Sequence, residues 1–223
     1  MNENQKTILE FKQFLESIFY EKDSNLRKEI KFTISNFEMN RYNQNIDNFI
    51  DFETINKDVN RSNFYNSLNN LSIEEHRIRL YKNLKIFFYH NNNFEYTQGV
   101  NMIMAFLQSI FEKNEDALYF MCKLADRIAN NYFFDSTFDQ YHRQLKSNIN
   151  KAIYKLSKDS NTLSNKINFL KSQICFKLFL NSFQSNVLVL YTNIMKNEND
   201  LILVIYLWTH LLLNGIEKHL EKV

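Results

Sequence analysis

Phe94-Glu95-Tyr96-Thr97-Gln98-Gly99-Val100-Asn101-Met102-Ile103-Met104-Ala105-Phe106-Leu107 is the stretch that decides how this chain is read. A polar turn runs into Gly99, one of only 2 glycines in the protein, and a strongly apolar segment follows. An apolar run of that kind behind a turn predicts a buried helix. The glycine marks a place where the backbone takes a positive φ, or comes so close to a neighbour that a Cβ would not fit. Gln98 then stands at the mouth of a buried element. An amide on such a rigid shoulder can orient a water or bind backbone.

Working outward, the composition narrows the options. The chain has 223 residues, 44% hydrophobic and 15% aromatic, enough to bury a core and far from a disordered composition. It has no proline, and its glycines are Gly99 and Gly215. The usual punctuators of turns and strands are therefore nearly missing, which predicts an all-α chain of long helices joined by Asn-rich turns. A P-loop or a Rossmann fingerprint needs several close glycines, so no nucleotide-binding loop of either kind is expected. With 27 basic and 25 acidic residues the net charge is +2, and no nucleic-acid partner is expected. Cys122 and Cys175 fit a reducing compartment without a disulfide framework. The polar opening Met1-Asn2-Glu3-Asn4-Gln5 predicts no signal peptide.

The periodicity predicts helices in order. Ile8, Leu9, Phe11, Phe14, Leu15, Ile18 and Phe19 mark one face of a helix over residues 7–22. Asp23-Ser24-Asn25 ends it and caps the next helix. Residues 40–53 are polar and read as a loop with a short helix. Ser72 with Glu75 makes a capping box for a helix over 71–90, with an apolar face of Ile73, Ile78, Leu80, Tyr81, Leu84, Phe87 and Phe88. A further helix is expected over 115–129, then a polar one over 138–157 and a turn at Asp159-Ser160-Asn161-Thr162. Leu201 to Leu213 is an apolar run shorter than the roughly 20 residues a membrane span needs. It reads as a buried core helix with Gly215 as its C-cap.

Several residues have two readings. Arg61 taken alone is a solvated surface arginine. Asp58, three residues earlier, is within reach of its guanidinium if the segment is helical, a surface pair worth about 0.2–0.5 kcal/mol. Gln98 taken alone is a turn-bridging amide, and Tyr96 and Asn101 are plain packing residues. His76, His90, His142, His210 and His219 form no metal-ligand spacing, so no metal site is expected. Lys146, Lys151, Lys155 and Lys158 on the polar helix read as a solvated face, with membrane or protein contact as the second reading.

Tyr96-x-Gln98-Gly99-x-Asn101 resembles the second signature of the TBC-domain family, helical GTPase-activating proteins for Rab GTPases. Ile55-x-x-Asp58-x-x-Arg61 resembles that family's earlier signature, and the two stand in the family's order. Leu26-Arg27-x-x-Ile30-x-Phe32 resembles the segment that opens the domain, with Phe32 where tryptophan is usual. Ile174 to Phe183 and Val187 to Thr192 resemble the third signature, with Ile174 for its first tryptophan and Tyr191-Thr192 for a Trp-Asp pair.

The resemblance implies a single all-α domain over residues 20–215 in two helical lobes, preceded by an N-terminal helix at 1–19 and followed by a tail at 216–223. It implies that Arg61 and Gln98 are catalytic fingers supplied in trans to a GTP-bound Rab-type GTPase. Asp58, Tyr96, Gly99 and Asn101 would then orient or support them. The partner would carry the GTP and the Mg²⁺, so this chain needs no cofactor of its own. It would be cytoplasmic and would meet membranes only through that partner. The other implied function is a TBC-like module that binds a GTPase as an effector or scaffold without accelerating hydrolysis.

Overall fold

The computed structural model describes residues 3–19, 25–38, 52–62, 71–91, 96, 99–129 and 198–220, with Arg143, Ser147, Asn150, Lys151, Tyr154 and Thr192. Among them all regular structure is helical. Helix α1 (Glu3–Phe19) buries Ile8, Phe11, Leu15 and Phe19, and begins a turn before the expected start. Leu9, expected on that face, points to solvent. Helix α2 (Asn25–Glu38) begins at Asn25 and buries Ile30 and Ile34, while Phe32 is exposed. Helix α3 (Phe52–Arg61) is short and buries Ile55, Asp58 and Val59.

Helix α4 (Ile73–His90) starts at the expected capping box. The Ser72 hydroxyl accepts from the Glu75 N–H, and the Glu75 carboxylate accepts from the Ser72 N–H. The Ser72 N–H, and after it the Ser72 hydroxyl, hold the Glu75 carboxyl below its usual range. The helix ends at Asn91, whose amide donates to the Phe87 carbonyl at 2.8 Å. Its inward face differs from the expected one. Ile73 and Ile78 are 63% and 61% exposed, while His76, Asn83 and Ile86 are buried. At 100° per residue Ile78 falls on the side away from Leu80, Leu84 and Phe87, and Ile73 sits in the open first turn.

Helix α5 (Val100–Ile110) is the centre of the described core. Met102 alone among its residues is not fully buried. A helix apolar on nearly every side must be enclosed by others, and α5 packs against α3, α4 and α6. Each large apolar side chain so enclosed contributes roughly 1.5–3 kcal/mol. Helix α6 (Asn114–Ala129) touches α1, α2, α4 and α5. Arg27 ties α2 to it, bonding Asp116 at 2.7 Å with its guanidinium 4.0 Å from the Tyr119 ring centroid. Tyr119 in turn donates to the Phe19 carbonyl at 2.7 Å and holds the end of α1.

Helix α7 (Glu198–Leu220) buries Leu201, Val204, Ile205, Trp208 and Leu212, as the apolar run predicted. Trp208 closes an aromatic cluster with Phe106 of α5 at 4.6 Å and Phe11 of α1 at 6.4 Å. The helix continues through Gly215, which is therefore not its C-cap. The run is amphipathic, with Leu203, Tyr206 and Leu213 exposed, and a glycine inside a helix costs only about 1 kcal/mol relative to alanine, too little to end it by itself. No described helix is long and apolar enough to cross a membrane.

The third signature (except Thr192), most of the polar helix at 138–157, the turn at 159–162 and Cys175 lie outside the described residues. Cys122 is a buried free thiol, pushed up to about 12 by burial, and is inert as a nucleophile.

Candidate functional site

The last turn of α3 carries Asp58 and Arg61 on one side, three residues apart. Their exposures are opposite: the Asp58 side chain is 4% accessible and the Arg61 side chain 66%. Arg61 Nη2 donates to Asp58 Oδ1, and Arg61 Nε donates to the Lys57 carbonyl at 3.3 Å. The pair is thus not the surface pair that the sequence suggested. One edge of the guanidinium is fixed to a buried carboxylate, and the rest faces outward. Among the described residues Nη1 has no hydrogen-bond partner.

The other carboxylate oxygen is held from the second segment. Tyr96 Oη donates to Asp58 Oδ2 at 2.8 Å. Its ring packs edge-on against Phe88 at 5.6 Å. Burial, and then donation to the Asp58 carboxylate, push the phenol well above its ordinary pKa, so it stays a neutral donor. Gly99 adopts φ 107° and ψ −23°, the left-handed conformation that glycine takes without steric cost. That conformation turns the chain directly into α5, whose first bonds run from Met102 and Ile103 N–H to the Gly99 carbonyl.

Asn101 completes the joint. Its Oδ1 accepts from the Gly99 N–H at 3.1 Å. Its Nδ2 donates to the Asp58 carbonyl at 3.2 Å and to Ser62 Oγ at 2.8 Å. Ser62 had no place in the sequence reading. It is buried, and its Oγ donates to the Asp58 carbonyl at 2.9 Å. The only signal for it was a hydroxyl directly after the arginine that ends α3. Arg77 of α4 braces the same turn, donating to the Asn60 carbonyl at 3.2 Å.

The structure therefore brings Asp58, Arg61, Tyr96, Gly99 and Asn101 together. Gln98 stands in the sequence between Tyr96 and Gly99 and lies outside the described residues. Among the described residues no group of His, Cys, Asp and Glu could hold a metal ion. His76 is buried in α4, and His90 lies 3.9 Å from Glu29.

Fold and site together define an all-helical domain in which two distant segments knit around a buried aspartate and present an exposed arginine. The chain belongs to the Rab-GTPase-TBC domain family: the family model matches residues 6–218. The match begins within α1 and ends within α7. No curated protein and no solved structure matches the chain significantly. Members of this family are Rab GTPase-activating proteins or related modules, and TBC domains generally interact with Rab GTPases.

Proposed function

We propose that this chain accelerates GTP hydrolysis by a Rab-type GTPase in its GTP-bound, Mg²⁺-loaded state, with Arg61 and Gln98 acting in trans. One observation carries the reading. In a chain of this family, an arginine two-thirds exposed is held along one edge by a carboxylate that is almost wholly buried. A solvated arginine has no use for such an anchor. An arginine that must reach a phosphate in one orientation does.

Arg61 would lay its planar, permanently charged fork against the γ-phosphoryl oxygens and neutralise the charge that spreads over them in the transition state. Arginine fingers of this kind are worth roughly 10³–10⁵ in rate in the Ras and Gα systems. Gln98 would orient the attacking water in place of the GTPase's own glutamine. Neither role needs a base, since catalysis here is positioning plus electrostatics. The GTP and the metal come with the partner. The chain would reach a membrane only through it, from the cytoplasm.

The test is phosphate release from a panel of GTP-loaded Rabs, with and without this protein, beside a binding measurement on the same panel. Acceleration of at least one Rab supports the reading. Binding of the GTP form without acceleration points instead to a GTPase-binding module, which the altered third signature at Ile174 and Tyr191-Thr192 also fits. Neither binding nor acceleration on any Rab overturns both.

A further inference from the structure

We infer that Ser62 is a positioning residue, the joint through which α5 fixes the last turn of α3 and so sets the aim of Arg61. The inference deepens the proposed function and rests on it only for the kinetic part of its test. The last four carbonyls of any α-helix lack an intrahelical partner, and a short helix whose end is unsecured frays. In α3 those carbonyls belong to Asp58, Val59, Asn60 and Arg61. Ser62 Oγ donates to the first at 2.9 Å, and Ser62 N–H donates to the second at 3.1 Å. Arg77 takes the third at 3.2 Å.

Ser62 does more than close the turn on itself. Its Oγ also accepts from Asn101 Nδ2 at 2.8 Å. A hydroxyl is both donor and acceptor, so one small group passes a hydrogen bond from the α5 amide to the Asp58 carbonyl. Asn101 Nδ2 reaches that carbonyl directly as well, at 3.2 Å. The turn that carries Arg61 is thereby referred to α5, the most enclosed helix described, and not to solvent. Asn101 is at the same time bonded to the Gly99 N–H, so Ser62 links the arginine's turn to the glycine turn beside Gln98 in sequence. An alanine at 62 would remove the shared group. It would leave one buried Asn101 amide hydrogen without its acceptor and the Asp58 carbonyl with one donor fewer.

Two measurements on Ser62→Ala and Ser62→Thr test this. The first needs no GTPase: the ¹⁵N–¹H signal of the Arg61 Nε–H in the chain alone. In wild type it is distinct from that of free arginine. In Ser62→Ala it moves to the free-arginine position, and in Ser62→Thr, which keeps the hydroxyl, it returns toward wild type. The second is single-turnover GTP hydrolysis by a Rab that the wild type accelerates. The saturating rate falls by roughly 10-fold to 100-fold in Ser62→Ala, as a misplacement of about 1 Å would cause, while the half-saturating concentration hardly moves. Ser62→Thr recovers most of that rate.

An Arg61 signal unmoved by Ser62→Ala overturns the inference, as does a kinetic loss confined to the half-saturating concentration. Failure of threonine to restore either readout also overturns it, since packing alone would then account for the site. If the alanine variant does not fold, Ser62→Cys, a weaker donor and acceptor, shows a smaller displacement of the same signal; an unmoved signal there refutes the role. Should wild type accelerate no Rab, the proposed function fails, and the Arg61 signal still decides the role of Ser62.

Discussion

Replacing Asp58 by asparagine tests the anchor at its centre. The carboxylate is almost wholly buried and accepts from Arg61 Nη2 on one oxygen and from Tyr96 Oη on the other, at 2.8 Å. An asparagine keeps the shape and one oxygen. Its NH₂ cannot accept, so one donor is confronted. Tyrosine resolves the conflict, because its hydroxyl can turn from donor to acceptor whereas a guanidinium cannot. The amide oxygen goes to Arg61 and the amide hydrogen to Tyr96. What is lost is the charge: bonds worth about 1.5–3 kcal/mol each become neutral or half-neutral bonds worth about 0.5–1.5. The expected net loss of stability is about 1–2 kcal/mol. Asp58→Ala costs more, because the partly buried Tyr96 hydroxyl then loses its partner beside a cavity. In urea unfolding the order of midpoints is wild type, Asn, Ala. Tyr96→Phe added to Asp58→Asn is less than additive, because it removes a neutral bond there and a charge-assisted one in the wild type. An Asn variant as unstable as Ala refutes the rotating-hydroxyl argument. An Ala variant as stable as wild type refutes the anchor itself. In hydrolysis, Asp58→Asn loses less than Arg61→Ala, since it disturbs aim and keeps the cation.

Gly99→Ala forces a Cβ into the left-handed conformation at φ 107°, and the cost is roughly 1–3 kcal/mol, read as a lower unfolding midpoint. Ser72→Ala removes the N-cap of α4 and costs about 1 kcal/mol in the same assay, while Ser72→Asp recovers most of it. Burial, and then the charge of Arg79, push His76 below its ordinary value of 6.5. The unfolded chain therefore takes up the proton first, and the stability contributed by neutral His76 is present above that value and declines as the pH falls below it. Thermal unfolding followed from about pH 8 to about pH 5 loses part of its slope in His76→Leu, and an unchanged slope contradicts the assignment.

Much of this was legible in residue order. Helix spacing placed α1, α4 and α6 within about a turn of their ends and found the start of α7, and Gly99 announced the buried helix behind it, with a positive φ as one of its two readings. Asp58 and Arg61 could be paired on paper because three residues is a helical contact distance. Their unequal burial could not, because burial depends on what α5 brings from about forty residues away. Ser62 was invisible for the same reason: its role exists only once Asn101 meets it. The polar residues inside α4 were also unreadable, since an apolar pattern assigns Ile78 inward and has no rule for burying His76 or Asn83. Gly215 misled because glycine near the end of an apolar run is usually a stop, and here the helix passes through it.

The most direct test of the central claim is single-turnover hydrolysis of GTP by an accelerated Rab, run with wild type, Arg61→Ala, Arg61→Lys and Gln98→Ala. Each is also run on a Rab whose own switch glutamine is changed to alanine. The account predicts that Arg61→Ala loses roughly 10³-fold or more while remaining folded, and that lysine, lacking the planar fork, does not restore it. It predicts that wild type still accelerates the glutamine-less Rab and that Gln98→Ala accelerates neither. Unchanged hydrolysis with Arg61→Ala contradicts the claim outright. A glutamine-less Rab that no longer responds, together with a Gln98→Ala variant that still works on the normal Rab, would leave this protein supplying the arginine alone.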